Sequence, residues 1–137
     1  MVEKFRNLHW NYYLLLEEDL IQTLRFVQLS KDNFNVFSIE YVKQFQSVCA
    51  EIDVLLKYLC KFNCLSSSPK NIKEYAENIL GNYPTFTKES VFVMGLEEEL
   101  SPWEEWQLKN DKEEYKSPKW WSEYNDVCKA WSSFNGR

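Results

Sequence analysis

The side chains best able to do chemistry in this chain stand far apart in the sequence. Glu51 has no basic residue three or four positions away, whereas Asp53 has Lys57 four residues later. A carboxylate placed like Glu51 can be a solvated surface charge, a structural acid bonded to another helix, or part of a site. The sequence leaves these three interpretations open.

His9 is the only histidine in the chain. Histidine is the usual side chain for moving protons near neutral pH. Here it stands beside Trp10 near the start of an amphipathic segment, and this position favours packing or capping over catalysis. We therefore do not include His9 in a predicted site.

Cysteine spacing offers one more candidate. Cys60 and Cys64 are four residues apart and could in principle hold a metal, but such sites normally have four ligands and no histidine lies near. Cys49 and Cys60 fall on an apolar helix face, where free thiols behave as small hydrophobic residues. The chain also lacks a glycine-rich phosphate loop. We expect neither a metal nor another cofactor.

The element that must position these residues is a long helix predicted over 38–62. Its apolar residues recur at spacings of three and four, and a second apolar row lies beside the first. The first row is Ile39, Val42, Phe45, Cys49, Ile52, Leu56 and Leu59, and the second is Tyr41, Val48, Leu55 and Phe62. So wide a stripe must be covered on more than one side by the rest of the chain.

Four further helices are predicted around it, over 2–29, 71–80 with Gly81 as the C-cap, 102–109 and 118–134. The segment 84–95 has strand-like residues without an evident pairing partner, and we predict an extended segment or a loop there. A short connector predicts that the first two helices are antiparallel neighbours. The expected fold class is all-α, a HEPN-like bundle as explained below, built on a long antiparallel helix pair with two or three shorter helices.

Two Ser-Pro phrases mark the last third of the chain, at Ser101-Pro102 and Ser117-Pro118. Each predicts the start of a helix, because serine is a good N-cap and proline suits the first helical position. The predicted helices bring two sets of aromatic residues together. These sets are Trp103 with Trp106, and Trp120 with Tyr124, Val127 and Trp131. Packing is the preferred interpretation over base stacking, since no basic groove accompanies the indoles.

Charge is unevenly distributed along the chain. Residues 97–114 hold eight acids against two lysines, a net charge of −6, whereas the whole chain carries −5. No basic stripe indicates electrostatic binding to a nucleic-acid backbone, so we expect no DNA partner. No apolar run is long enough to span a membrane and no signal-peptide pattern is present, so a cytoplasmic protein without a membrane partner is expected.

Four stretches together resemble one family of small helical proteins. They read Phe-Arg-Asn-Leu-His-Trp-Asn-Tyr-Tyr at 5–13, Ala-Glu-Ile-Asp at 50–53, Ser-Pro-Trp at 101–103, and Ser-Pro-Lys-Trp-Trp-Ser-Glu-Tyr-Asn-Asp-Val at 117–127. The family is the bacterial HEPN-type proteins, named for a higher-eukaryote and prokaryote nucleotide-binding domain. The resemblance covers nearly the whole chain and implies one HEPN-like domain over 1–137, often dimeric in the family.

The resemblance also implies a candidate RNase site. Many HEPN-type relatives are RNases of toxin, phage-defence or RNA-processing systems, with an arginine or asparagine followed after a few residues by a histidine, and an acid on an earlier helix. On this chain the acid would be Glu51 and the motif would begin at Asn125. The lysine that follows, Lys129, is the third candidate catalytic residue.

The sequence departs from the family pattern at the histidine of the motif. Lys-His is expected after Val127, and the chain instead reads Cys128-Lys129. Metal-free RNA cleavage needs a group that moves protons near neutral pH, and lysine at its ordinary pKa is a poor base. Relatives also carry a further helix after this motif, so the domain is expected to lack a final helix.

These observations lead to three hypotheses. The first is a non-catalytic HEPN-like protein that acts by association with itself or a protein partner, in a phage-defence, toxin or RNA-related system. Its interface would include the last helix, with Trp120 and Trp121. The second is a metal-independent RNase that uses Glu51, Asn125 and Lys129. The third is a structural or regulatory helical module with no RNA role.

Overall fold

The structure, a computed structural model, describes residues 2–93, 95–110 and 114–135 and is mostly helical. The helices are α1 (Val2–Thr23), α2 (Ile39–Asn63), α3 (Ile72–Asn82) and α4 (Lys119–Asn135). A two-stranded sheet, β1 (Val91–Val93) and β2 (Glu98–Leu100), is the other regular element described. The prediction of the all-α class is confirmed. Within the described residues, no helix has the length and apolar character needed to cross a bilayer.

The chain divides into two compact units, 1–48 and 49–137. The boundary falls inside α2, so this one helix contributes residues to both units. The assignment of 1–137 to a single HEPN-like domain stays a prediction.

In the first unit, α1 ends earlier than predicted. The helix was expected to continue to Leu29, and it stops at Thr23, whose hydroxyl donates a 2.6 Å hydrogen bond to the Leu20 carbonyl. The next three backbone amides, through Phe26, bond to carbonyls three residues back. Bonds of this spacing tighten and close the last turn of a helix.

The start of α2 agrees with the prediction to within one residue. The Ser38 hydroxyl accepts a hydrogen bond from the backbone amide of Glu40 at 3.2 Å and so caps the helix. One turn further on, the Gln44 side chain donates to the Asp19 carbonyl of α1 at 3.2 Å. The end of α1 therefore lies beside the start of α2. The antiparallel pairing of the two long helices stays a prediction.

The core of the second unit forms between α2, α3 and the segment before α4. Its fully or nearly fully buried members are Leu56, Cys60, Tyr75, Ala76, Ile79 and Trp106. Asn71 caps α3: its side-chain oxygen accepts from the Glu74 amide at 3.0 Å, and its side-chain Nδ2 donates to the Glu74 carboxylate at 2.8 Å. The prediction of Gly81 as C-cap is wrong. The helix runs through Gly81, and the amide of Tyr83 closes it on Ile79 at 2.7 Å.

The extended segment predicted before Gly95 contains β1, which pairs with β2 in antiparallel register. Val91 lies opposite Leu100, and Val93 opposite Glu98. The β2 strand was not predicted, because glutamate has a low strand propensity. Gly95 and Glu97 take positive φ angles of 99° and 52°, which turn the chain between the strands.

The prediction of a helix over 102–109 is wrong. The chain makes two successive turns, with 3.3 Å between the Glu104 amide and the Ser101 carbonyl, and 3.0 Å between those of Trp106 and Trp103. It then forms an antiparallel bridge in which Gln107 and Lys116 exchange two backbone hydrogen bonds. Tertiary pairing therefore overrides the local helix signal of the Ser-Pro phrase.

The α4 helix begins one residue after its predicted start. The Glu105 carboxylate accepts a hydrogen bond from the Lys119 amide at 3.2 Å, so an acid from the preceding turns caps α4. The Trp120 indole donates to the Pro102 carbonyl at 2.8 Å and ties the same turns to the helix. The predicted packing of Trp131 lies outside the described side chains.

Candidate functional site

A group of polar side chains from α2, α3 and α4 lies close enough together for its members to affect one another's pKa. Tyr124 and Cys128 come from α4, Cys49 and Asp53 from α2, and Tyr75 from α3. We refer to these five residues as the thiol–phenol cluster. On each of α2 and α4 the two members are one helical turn apart and so share a face.

Asp53 joins the cluster to two partners. The Tyr75 hydroxyl donates to Asp53 Oδ1 at 2.7 Å, and Lys57 Nζ lies 2.5 Å from Oδ2. Tyr75 is fully buried, whereas the Asp53 side chain remains about a quarter exposed. Each oxygen of this carboxylate therefore has a partner, which is the arrangement of a structural acid.

Burial raises the pKa of three members of the cluster, Cys49, Tyr75 and Tyr124. Burial, with a smaller contribution from nearby Cys128, raises the pKa of Cys49 to about 12. Burial, and then a hydrogen bond with Cys128, raises the pKa of Tyr124 to about 12. The pKa of Tyr75 is also raised, first by burial and then by its bond to Asp53. These groups are neutral near pH 7, and a protonated thiol is a weak nucleophile.

The predicted site residues lie around this cluster and do not join it. Asn125 and Lys129 are one turn apart on α4, and both are exposed. Glu51 is half-buried and stands two residues from both Cys49 and Asp53. Its side chain therefore leaves α2 on the other side of the helix, roughly 200° around the axis from the cluster. Asn125 and Lys129 therefore share one face of α4, whereas the helical spacing puts Glu51 on a different face of α2 from Cys49 and Asp53.

His9 contacts Phe5, with ring centroids 3.9 Å apart. The two residues are one turn apart on α1. This contact agrees with the interpretation of His9 as a packing residue.

Four tryptophans of the second unit, Trp103, Trp106, Trp120 and Trp121, form a chain of tilted and edge-to-face contacts. The ring centroids of Trp103 lie 5.1 Å from those of both Trp106 and Trp120, and Trp121 lies 5.6 Å from Tyr124. Trp106 and Trp121 are buried. Buried indoles cannot offer their faces to a base, so these contacts favour packing over nucleic-acid stacking.

Two buried polar atoms near this cluster of rings lack a well-formed hydrogen bond among the described residues. They are the Trp106 indole nitrogen and the Tyr115 hydroxyl. Burial raises the pKa of Tyr115, and the nearby Trp106 N–H opposes that rise. The two groups therefore face each other without reaching good bonding geometry, and a bridging water would satisfy both.

Sequence reasoning missed the thiol–phenol cluster as a unit. The available signals were Cys49 and Asp53 at a four-residue spacing, and Tyr124 and Cys128 at the same spacing. Neither spacing shows that the two pairs lie near each other. Within the described part of the chain, no group of three or more histidine, cysteine or acidic residues is placed to hold a metal ion.

No family model, curated protein or solved structure matches this chain. The functional argument therefore depends on the residues and the geometry described above.

Proposed function

We propose that this chain is a HEPN-like helical protein that does not cleave RNA and acts by associating with itself or a protein partner, in a phage-defence, toxin or RNA-related system. The observation that supports association is the exposure of α1, in which none of the residues is buried. Nine of its large apolar side chains are exposed. They are Val2, Leu8, Trp10, Tyr12, Tyr13, Leu14, Leu15, Leu20 and Ile21. So much exposed apolar surface is typical of an interaction site.

The absence of catalysis is supported by the groups near the motif. Cys128 takes the position of the expected lysine and contacts Tyr124, whose hydroxyl stays protonated near pH 7 because burial raises its pKa to about 12. The helical spacing puts Glu51 on a different face of α2 from Cys49 and Asp53. A proton-transferring pair for the 2′-hydroxyl and the leaving oxygen is not evident in this arrangement.

One observation favours the alternative of a metal-independent RNase. Asn125 and Lys129 share an exposed face of α4, where a phosphate could reach both. The third hypothesis, a helical module with no RNA role, is compatible with the same fold. Measurements of RNA cleavage and RNA binding separate the three.

The test compares the wild-type chain with Lys129→His on a single-stranded RNA, in EDTA at neutral pH. Lys129→His places a histidine at the motif position and keeps Cys128 in its cluster. Lys129→Gln is the matched control, since it removes the amine without adding a histidine. We expect no cleavage by the wild-type chain or by Lys129→Gln.

Cleavage by the wild-type chain that is lost in both Glu51→Gln and Lys129→Gln would establish the RNase alternative instead. The same samples are examined by sedimentation at about 100 μM, where even weak dimers form. A wild-type chain that sediments as a monomer and binds no RNA favours the module without an RNA role.

A further inference from the structure

The outer face of α1 carries a regular row of exposed residues. Arg6, Trp10, Tyr13, Glu17 and Leu20 follow one another at spacings of four, three, four and three. We refer to these five residues as the α1 seam. This spacing places side chains along one line of a helix, as at the contact line between two packed helices.

Large side chains occupy the middle of the seam and remain open to solvent. Trp10 is 60% exposed, Tyr13 is 49% exposed and Leu20 is 45% exposed. The rings of Trp10 and Tyr13 already contact each other, with centroids 5.3 Å apart. Tryptophan, tyrosine and arginine are the residues that most often dominate the energy of a protein–protein interface.

The charges of the seam identify its partner. Arg6 lies near the first turn of α1 and Glu17 near the last, and both are exposed. No ion pair among the described residues uses either of them. A second α1 packed in the opposite direction brings each arginine opposite a glutamate. A parallel copy would place like charges together, which is unfavourable.

One register satisfies both the charges and the rings. When Arg6 lies opposite Glu17 of a second copy, Trp10 lies opposite Tyr13 of that copy. Two-fold symmetry repeats both contacts, giving two aromatic pairs in the middle with one ion pair on each side of them; Leu20 lies beyond the ion pair, opposite Glu3 of the second copy. A patch that is complementary to itself in this way is the hallmark of a symmetric dimer.

We infer that the α1 seam is a homodimer interface, in which α1 helices of two copies pack antiparallel with Arg6 of each copy against Glu17 of the other. The inference rests on the proposed function of association and names its surface and its partner. It differs from the sequence-based expectation, which placed the interface on the last helix.

The test uses charge reversal in separate and mixed samples. Arg6→Glu makes both seam charges acidic, and Glu17→Arg makes both basic, so each variant repels its own copy. Mixing the two variants restores opposite charges at both ion pairs of a heterodimer. The control is Lys4→Glu, the same reversal two residues away and so roughly 200° around the helix.

Sedimentation equilibrium should show a dimer for the wild-type chain and for Lys4→Glu. The dissociation constant should rise at least about tenfold in each seam variant, and an equimolar mixture should return to about the wild-type value. Circular dichroism should show the same helix content in all four proteins, which excludes unfolding as the cause.

Two outcomes overturn the inference in distinguishable ways. In the first, the wild-type chain is a dimer, but the seam variants dimerise equally well or their mixture stays monomeric. The α1 seam is then not the interface, and the proposal of self-association stands. If the wild-type chain is monomeric, the seam is wrong and self-association fails with it, which leaves a different protein as the only partner.

Discussion

The Tyr75 hydroxyl donates a 2.7 Å hydrogen bond to Asp53 Oδ1, and this bond ties α3 to α2 inside the second unit. Tyr75 has no solvent exposure, so its hydroxyl has exchanged water for this one acceptor. The acceptor is a carboxylate that Lys57 also contacts. Hydrogen bonds to charged acceptors contribute more to stability than neutral ones.

Tyr75→Phe should therefore lower the free energy of unfolding by about 1–2 kcal/mol, because it removes the bond and keeps the buried ring. Urea denaturation measures the change. Tyr83→Phe is the matched control, since Tyr83 donates to a neutral acceptor, Asn63 Oδ1, at 2.8 Å and is exposed. An equal loss in the two variants would contradict a special role for the charged acceptor.

Alkaline pH should destabilise the protein through the same cluster. Folding raises the pKa of Cys49 from 9.0 to about 12 and that of Tyr124 from 10.0 to about 12. The unfolded chain loses these protons first, so above pH 9 the folded chain binds more protons and the free energy of unfolding falls as pH rises. The stability from these groups is fully present below pH 9 and is lost by about pH 12.

Urea denaturation at intervals from pH 8 to pH 11 measures this slope. Cys49→Ala should reduce the fall in stability that begins near pH 9, because it removes one of the two buried thiols whose pKa folding raises; Cys60 is the other and should account for what remains of it. An unchanged slope in this variant would show that the loss arises elsewhere.

The sequence predicted the elements whose signals are local and repeated. The three-four rows of α2 and the Ser-Pro start of α4 gave bounds within one residue, since each depends on residues a turn or two apart. The helix predicted to start after Ser101 does not form, because the bridge between Gln107 and Lys116 holds this segment in an extended conformation. Long-range pairing of this kind leaves no mark on a local pattern.

The candidate site, too, could be predicted only where the spacing within one helix determines it. Asn125 and Lys129 fall on one face because their spacing is helical, and this could be read from the sequence. Which residues of α2 lie near α4 could not be read in advance, because every face of α2 carries apolar residues. Cys49 and Asp53 lie near enough to Tyr124 of α4 to affect its pKa, and Glu51 lies on a different face of α2.

Trp121 should contribute to the folding stability of the second unit. It is 6% exposed and contacts both Trp120 and Tyr124 through ring edges. Trp121→Ala should cost about 3–5 kcal/mol, the range for removing a buried tryptophan. Trp120→Phe should cost only about 1 kcal/mol, mainly for the lost bond to the Pro102 carbonyl.

Thermal unfolding of the two variants measures the difference. If Trp121→Ala keeps wild-type stability and only loses assembly, the interface on the last helix, expected from the sequence, would replace this interpretation. A folded and stable Trp121→Ala monomer would therefore contradict the stability role of Trp121 and place it in the interface.

Thiol reactivity should differ sharply among the cysteines. Cys64 is exposed, and hydrogen bonding with Ser66 lowers the pKa of its thiol, so the reactive thiolate forms readily. Burial raises the pKa of Cys49 and Cys60, and both are almost inaccessible. A disulfide reagent at neutral pH should therefore modify Cys64 first, and Cys49 and Cys60 only when the chain unfolds.

Cys64→Ser should abolish the fast phase of modification. Ser66→Ala should slow that phase without abolishing it, because the thiol loses the partner that stabilises its charged form. Ser68→Ala, an exposed serine two residues further on, is the control and should leave the rate unchanged. A fast phase that persists in Cys64→Ser would mean that another thiol opens to solvent in the folded chain, and mass spectrometry of the modified peptide would identify it.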